Sequence, residues 1–395
     1  MRIAIFADFF YPEQSGITDS VTLLARELSR HGHAVLLVVP HYSRANYRQL
    51  NLPATEPDYG KNVQVARLPS VTMPFSPTGQ GRLPLPIGFG VAAVKHFRPD
   101  IIHSHSPFGP GLEALVASRI FSIPLVGTNH TPFAEFLPKF LGPIVTLVLY
   151  YSSWYYNHCQ YVTTPSQVLL DDMRKYGLKS LGQALSNPVD IASFSPVASS
   201  QEKLTLKTKF GLSPHTVLYT GRLAPEKHID VIIRAIAKVK SITPNISFAL
   251  TGRGNAEQAL KNLTKHLGLE EQVKFFGFVD NRTFSLLYQA SDIFAVMSTA
   301  ESQCLSLIQG MASGLPVIGA NSWALPEYIK PESGLVVPVG DENKLAEAIG
   351  RLIANPDYSA KLGRGGVEQS AQYAAKSVVA VWEKIYENQF DHSRL

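Results

Sequence analysis

Short apolar runs of strand length alternate with helix-length stretches along this chain, and the series starts twice. Residues 3–8 read as a strand, 20–31 as a helix and 34–40 as the next strand; further strands at 101–103 and 125–128 flank a helix at 111–121. Each strand is apolar and ended by polar residues or glycine, as strands buried on both faces of a parallel sheet are. After Phe194-Ser195-Pro196 the rhythm resumes, with strands at 217–219, 246–250, 273–275, 293–296, 316–319 and 335–337. Helices are expected at 229–240, 256–267, 284–290 and 345–352, and a terminal one at 378–390. This βαβ rhythm predicts an α/β fold. At 395 residues the chain exceeds what one hydrophobic core usually serves. Two doubly wound domains are therefore expected, with a linker near residues 190–210.

Apolar residues make up 45% of the chain and charged ones 17%, the balance of a folded globular body. Cys159 and Cys304 form no disulfide or ligand pattern, which fits a reducing compartment and argues against a structural zinc. The opening residues enter a buried strand at once, so no signal peptide is expected. The most apolar uncharged run, 141–156, is short for a bilayer span and is interrupted by Pro143, Ser152 and Ser153. A net charge of +5 favours polyanionic partners, whether nucleotide diphosphates, acidic lipid surfaces or nucleic acid.

Parallel sheets bind ligands beyond the carboxyl ends of their strands, where loops meet helix N-termini. After the strand ending at Thr220 comes Gly221-Arg222-Leu223-Ala224-Pro225-Glu226-Lys227. Two cations five residues apart, flanking a turn ahead of a helix that begins near Ile229, suit a diphosphate, the guanidinium as a fork and the ammonium as a compact charge; a solvated turn with incidental charges has the same local sequence. Glu301, after the strand at 293–296, reads either as a helix cap or as a partner for sugar hydroxyls. The amides of 304–306 open the next helix and can meet phosphate oxygens. In the first half, Gly16 lies in the loop 12–19 between strand and helix, where a ligand can approach the backbone. His103, His105 and His130 lie at or beyond strand ends and read as hydrogen-bonded structural residues; the first two share a strand face, with no third ligand nearby in sequence. No Asp-x-Asp triplet is present to bridge a divalent cation to a diphosphate, so no metal is expected and protein cations must neutralise the phosphates.

Taken in order, GRLAPEKHIDVIIRA, LTGRGN, VKFFGFVD, DIFAVMSTAESQCLSLIQGMASGLPVIG and LPEYI resemble glycosyltransferase family 4, the retaining GT-B enzymes. In the first half FADFFYPEQSGITDSV also matches, and PDIIHSHSPFG, GTNHTPFAEFLP and TTPSQ are most similar to the glycolipid-forming and phosphatidylinositol-mannosylating branches. The resemblance implies two Rossmann-like domains facing each other across a cleft. Residues 1–195 would bind the acceptor and 196–376 the nucleotide sugar, with a helix at 377–395 packing back on the first domain. It implies Arg222 and Lys227 as the diphosphate cations, Glu301 as the acid on donor sugar hydroxyls, and His130 as the active-site histidine. Cys304 and Leu305 would offer backbone amides, and Gly16, Gly252, Phe278 and Gln309 would complete the donor site.

Two positions depart from the family pattern. Gln309 stands where the signature of a Glu, seven residues and a second Glu has its second acid; a neutral amide can still bond ribose hydroxyls. Ser15-Gly16 replaces the frequent Gly-Gly. The implied reaction retains anomeric configuration by a front-face route in which the leaving diphosphate assists the acceptor, with no cofactor. Donor choice among UDP-glucose, UDP-galactose and GDP-mannose stays open, as does the acceptor hydroxyl, expected on a membrane lipid such as diacylglycerol or a phosphoinositide. No nucleic acid is expected. The segment 132–161 is rich in Phe, Tyr, Trp and Leu. Its expected role is to lay Phe133, Phe136, Leu137 and Phe140 in the interface of the cell membrane's inner face, against burial of the 150–156 portion in the first domain. A soluble-acceptor transferase and a non-catalytic nucleotide-sugar-binding protein are the alternatives. A dinucleotide enzyme fits poorly, because the first strand lacks G-x-G-x-x-G after it.

Overall fold

In β1 (Arg2–Phe6) the side chains of Ile3 and Ile5 enter one core and those of Ala4 and Phe6 another, because successive strand residues face opposite sides of a sheet. The computed structural model describes residues 1–50, 52–73, 80–136 and 142–392. It divides into two units, Met1–Val189 with Ala375–Leu395, and Asp190–Ala374. The first boundary falls ahead of Phe194 because that ring packs edge-on against Phe284 and Tyr288 of the second unit, at 5.9 and 5.1 Å.

After β1 the first unit continues with α1 (Gly16–Arg30), β2 (Ala34–Pro40), α2 (Arg44–Gln49), β3 (Val63–Leu68), β4 (Ser70–Thr72), β5 (Arg82–Pro84) and α3 (Phe89–Phe97). Then come β6 (Ile101–Ser104), α4 (Gly109–Phe121), β7 (Leu125–Thr128), α5 (Phe133–Phe136), α6 (Gly142–Tyr156), β8 (Tyr161–Thr164), α7 (Gln167–Lys175) and β9 (Gly182–Ala184). Seven parallel strands are ordered β3-β2-β1-β6-β7-β8-β9, beside a small antiparallel β4–β5 pair. The α1 helix starts at Gly16, ahead of the expected residue 20, because the Ser15 hydroxyl caps it by accepting from the Thr18 amide at 3.2 Å. One face of the sheet is covered by α1 residues Val21, Leu24 and Leu28, the other by residues of α3, α4, α6 and α7.

The last helix, α16 (Ala375–His392), completes the first of these faces. Its Val378, Val379, Trp382 and Tyr386 are buried, and Tyr386 Oη lies 2.7 Å from His103 Nδ1 at the centre of the sheet. The Tyr386→Phe variant leaves that ring nitrogen buried without its partner, so it should lose ~1–3 kcal/mol of stability. Urea unfolding followed by far-UV circular dichroism checks it; an unchanged midpoint means the contact stabilises nothing.

The second unit runs α8 (Ser200–Phe210), β10 (His215–Thr220), α9 (Ile229–Lys240), β11 (Ile246–Thr251), α10 (Glu257–His266), β12 (Val273–Gly277), α11 (Asn281–Gln289) and β13 (Ile293–Val296). It closes with α12 (Leu305–Ala312), β14 (Val317–Ala320), α13 (Leu325–Tyr328), β15 (Gly334–Val337), α14 (Glu342–Ala354) and α15 (Pro356–Ser370). Its six strands are parallel, ordered β12-β11-β10-β13-β14-β15. The expected linker at 190–210 is in part helix: Ser199 caps α8, Gly211 ends it at φ +63°, and the buried Lys207 ammonium pairs with Asp292 and donates to Pro214 O at 2.6 Å.

Candidate active site

In the second sheet the strand order reverses between β10 and β13, and the loops after these strands bound the crevice where parallel sheets collect ligands. One loop carries Arg222 and Lys227, the other Glu301, and the Thr299 amide joins them by donating to Glu226 O at 3.1 Å. Gly252, after β11, sits at φ +132°, and a Cβ there would stand 1.8 Å from Gly221 O. Only glycine lets these two loop backbones close on each other.

The cations are already paired. Lys227 Nζ donates to Glu301 Oε1 at 2.7 Å, each side chain 13% exposed, and Arg222 Nη2 donates to Glu226 Oε1 at 2.6 Å with both partners about a quarter exposed. Two positive and two negative groups thus meet at one strand-order reversal, and an arriving dianion must compete with carboxylates for the cations. Glu301 is no simple helix cap: the N-cap of α12 is Cys304, and Glu301 is held by Lys227 instead. Glu226 was read from sequence only as part of the turn.

Cys304 brings no side-chain oxygen to the α12 N-terminus; its buried thiol rests 3.3 Å from Ser306 Oγ and is pushed up to about 12 by burial and then by Glu301. The backbone at 304 and 305 therefore keeps the electropositive character of a helix start. One turn into α12, Gln309 Oε1 lies 3.2 Å from Tyr288 Oη, a hydroxyl that stands equally near Ser306 O and 2.6 Å from Thr220 Oγ1 at the end of β10. With its oxygen turned toward Tyr288, Gln309 has an amide NH2 to present. Tyr288 escaped the sequence reading, since an aromatic in an amphipathic helix signals only burial. Phe278 follows the end of β12 and is 57% exposed.

In the first unit Gly16 is the exposed first residue of α1. His130, beyond β7, is buried, with Nε2 2.8 Å from His105 Nδ1 and the rings stacked at 5.1 Å. His105 in turn lies 4.0 Å from the His103 ring, and His103 Nε2 is 2.8 Å from Thr128 Oγ1. Burial pushes His130 down to about 4 and lowers both neighbours, so the three stay neutral near pH 7. The sequence offered no third histidine beside the first two; the fold brings His130 there, and among the described residues no group of three His, Cys, Asp or Glu is placed to hold a metal. Asp8, read from sequence as a strand residue, stands past the end of β1 with Oδ2 accepting from Ser106 Oγ; burial pushes its carboxyl up to about 6.

The aromatic segment divides by face. Tyr155 and Tyr156 are buried, while Ile144, Leu147, Tyr150 and Trp154 form an exposed apolar stripe along α6. Phe133 meets Phe108 edge-on at 5.6 Å. Leu137 and Phe140 lie outside the described residues, as does the side chain of Phe136. No described helix is long and apolar enough to cross a membrane.

Comparison with known proteins adds three kinds of similarity. Residues 14–193 match the model described as Glycosyltransferase Family 4, and residues 200–369 the model described as Glycosyl transferases group 1. The chain is 28% identical to alpha-monoglucosyldiacylglycerol synthase of Streptococcus pneumoniae over 369 residues, 91% of this chain and 80% of that protein. It is 25% identical to phosphatidyl-myo-inositol mannosyltransferase of Mycobacterium leprae over 395 residues, 98% of this chain and 96% of that one. Among solved structures, Anabaena Alr3699/HepE in complex with UDP superposes with a TM-score of 0.76 at 19% identity, covering 98% of this chain and 99% of that one.

Proposed function

The chain belongs to the glycosyltransferases of family 4 and group 1, with the two-Rossmann GT-B fold, and from that premise we propose that it moves a hexose from a nucleoside-diphosphate sugar to a hydroxyl of a membrane lipid with retention at the anomeric carbon. The observation that carries this reading is the pairing of Arg222 and Lys227 with Glu226 and Glu301 at the strand-order reversal of the second unit. The guanidinium and ammonium turn from the carboxylates to the diphosphate, assisted by the start of α12. Glu301, released from Lys227, accepts from hydroxyls of the sugar. Gln309 donates its NH2 to a ribose oxygen, its own oxygen lying toward Tyr288. Gly252 keeps the loop closed beneath the phosphates, and Phe278 offers an exposed ring to the base.

In the transfer, the bond from the anomeric carbon to the diphosphate oxygen breaks and its electron pair leaves with the nucleoside diphosphate. The acceptor oxygen bonds to the same face, and its proton goes to the departing phosphate. Charge building on that phosphate is met by Arg222 and Lys227, which makes metal and cofactor unnecessary. Neutral His130, held by His105, can hydrogen bond a sugar or acceptor hydroxyl without adding charge.

A lipid acceptor is supported by the names of both relatives, one a synthase of monoglucosyldiacylglycerol and the other a mannosyltransferase on phosphatidyl-myo-inositol. The apolar stripe of α6 and the net charge of +5 suit an anionic bilayer on the cytoplasmic side. The test offers labelled UDP-glucose, UDP-galactose and GDP-mannose to the protein with anionic vesicles. One donor should yield an organic-extractable α-glycoside, its anomer assigned by proton NMR coupling. A panel in which no nucleotide sugar is consumed, and none raises the melting temperature by binding the native state, overturns the reading.

A further inference from the structure

Among the described residues, Arg98, Ser122, His228 and Trp323 are the non-glycine positions whose backbone lies in the left-handed region. Arg98 and Ser122 close α3 and α4, and His228 closes the short helical turn at 225–227, places where a chain leaving a helix often turns left-handed. Trp323, at φ +46°, ends no helix; it lies between β14 and α13. It is the second residue of the turn 322–325, closed by the Leu325 amide donating to Ser322 O at 3.2 Å, and glycine is the residue that adopts such a position without steric cost. A bulky side chain on this backbone is strained. Strain of this kind persists only where the surroundings enforce it, and it gathers at ligand clamps.

The surroundings here are the donor loops. Strands β13 and β14 pair in parallel, so the loops after them leave the same edge of the sheet. The Ala324 amide donates to Glu301 O at 3.1 Å and Ser322 Oγ donates to Thr299 O at 3.3 Å, so both neighbours of Trp323 are tied to the loop that carries Glu301. The indole itself is half-buried and has no hydrogen-bond or ring partner among the described residues.

The chemistry of the donor gives an aromatic ring at this place a use. In an α-linked nucleotide hexose the diphosphate is axial on one face of the sugar, and transfer with retention brings the acceptor to that same face. The opposite face is left for the protein to cover. Glucose presents only axial C–H groups there, whereas galactose puts its 4-hydroxyl and mannose its 2-hydroxyl on that face. An aromatic ring packs well against C–H groups, but a hydroxyl pressed onto it loses its hydrogen-bond partners.

We propose that Trp323 is a specificity-determining residue of the donor site, its indole covering the hexose face opposite the diphosphate and so selecting the gluco configuration over galacto and manno. The inference rests on the transferase reading above and chooses among the sugars that it leaves open.

The test titrates the protein calorimetrically with UDP-glucose against UDP-galactose and with GDP-glucose against GDP-mannose, pairs that differ only in configuration at one sugar carbon; bare UDP and GDP are the controls. On the base that the chain accepts, the wild type should bind the glucosyl nucleotide about tenfold or more tightly than its epimer. Trp323→Gly should cut that preference below about threefold, and Trp323→Phe, which keeps a ring on the same backbone, should hold it above that level. Affinity for the bare nucleoside diphosphate should stay within about twofold in both variants. Because glycine relaxes the turn, Trp323→Gly should melt no lower than the wild type; a drop of several degrees would assign the indole to packing and overturn the proposal. A wild type without preference for glucose, or a Trp323→Gly variant that discriminates as the wild type does, overturns it as well while leaving the transferase reading intact. If Trp323→Gly does not fold, Trp323→Asn, whose side chain tolerates this backbone, carries the test, and an unchanged preference in it overturns the proposal. Failure of the wild type to bind any of these nucleotides removes the transferase reading, and this inference with it.

Discussion

Replacing Arg222 and Lys227 together by glutamine should lower kcat/KM for the nucleotide sugar by about three orders of magnitude and abolish measurable binding of the nucleoside diphosphate. Each charge-assisted bond to a phosphate contributes ~1.5–3 kcal/mol, so two contribute ~3–6 kcal/mol, and each ~1.4 kcal/mol is a factor of ten. Part of that gain is offset in the native protein, because the cations must first leave Glu226 and Glu301. The double variant suffers a second effect that pushes the loss to the upper end: both carboxylates remain, and they now face the diphosphate with no cation between. Stability should change little from Arg222, whose pair with Glu226 is partly exposed and worth ~0–1 kcal/mol. Calorimetric titration and steady-state kinetics read the two losses, and binding in the native protein should weaken with added salt. A double variant that binds within tenfold of the wild type would mean that the diphosphate rests elsewhere.

Much of this architecture can be read from residue pattern, and the failures have a common cause. The strands at 34–40, 125–128 and 293–296 coincide with β2, β7 and β13 because each is a continuous apolar run closed by a polar residue or glycine. The strand β9, Gly182-Gln183-Ala184, has no apolar run at all; its backbone pairs with β8, and a Cβ at 182 would stand 2.2 Å from Val162 O. Such a strand is specified by its neighbour rather than by its own side chains. That the cations at 222 and 227 lie between a strand and a helix was legible, because the strand before them and the helix after them are strongly patterned. Their carboxylate partners were not, since the Lys227–Glu301 contact spans two separate βα loops. Asp8 and Ser106 meet only through the β1–β6 register, and His130 meets His105 only across β6 and β7. Sequence places a group at the end of a strand; the strand order decides which ends are adjacent.

The order of events at Glu301 follows from the same adjacency and makes Glu301→Gln the sharpest probe of the donor site. In the free protein this carboxylate occupies Lys227, both side chains largely removed from solvent. A neutral amide holds the ammonium less tightly, so the variant should bind the bare nucleoside diphosphate as well as the native chain or up to about tenfold better, the gain being the released charge-assisted bond. Transfer should move the opposite way. On the proposed reading Glu301 accepts from sugar hydroxyls and stabilises positive charge that grows on the ring as the anomeric bond lengthens, and an amide does the second poorly. A loss of ~2–3 kcal/mol in transition-state stabilisation lowers kcat about 100-fold. Combining Glu301→Gln with Lys227→Gln should then be strongly non-additive, because either change alone already breaks the pair. Tighter nucleotide binding with slower transfer assigns Glu301 to the sugar. Equal weakening of both would reduce it to a counter-ion that keeps Lys227 in place, and retention of full transfer would remove it from the donor site altogether.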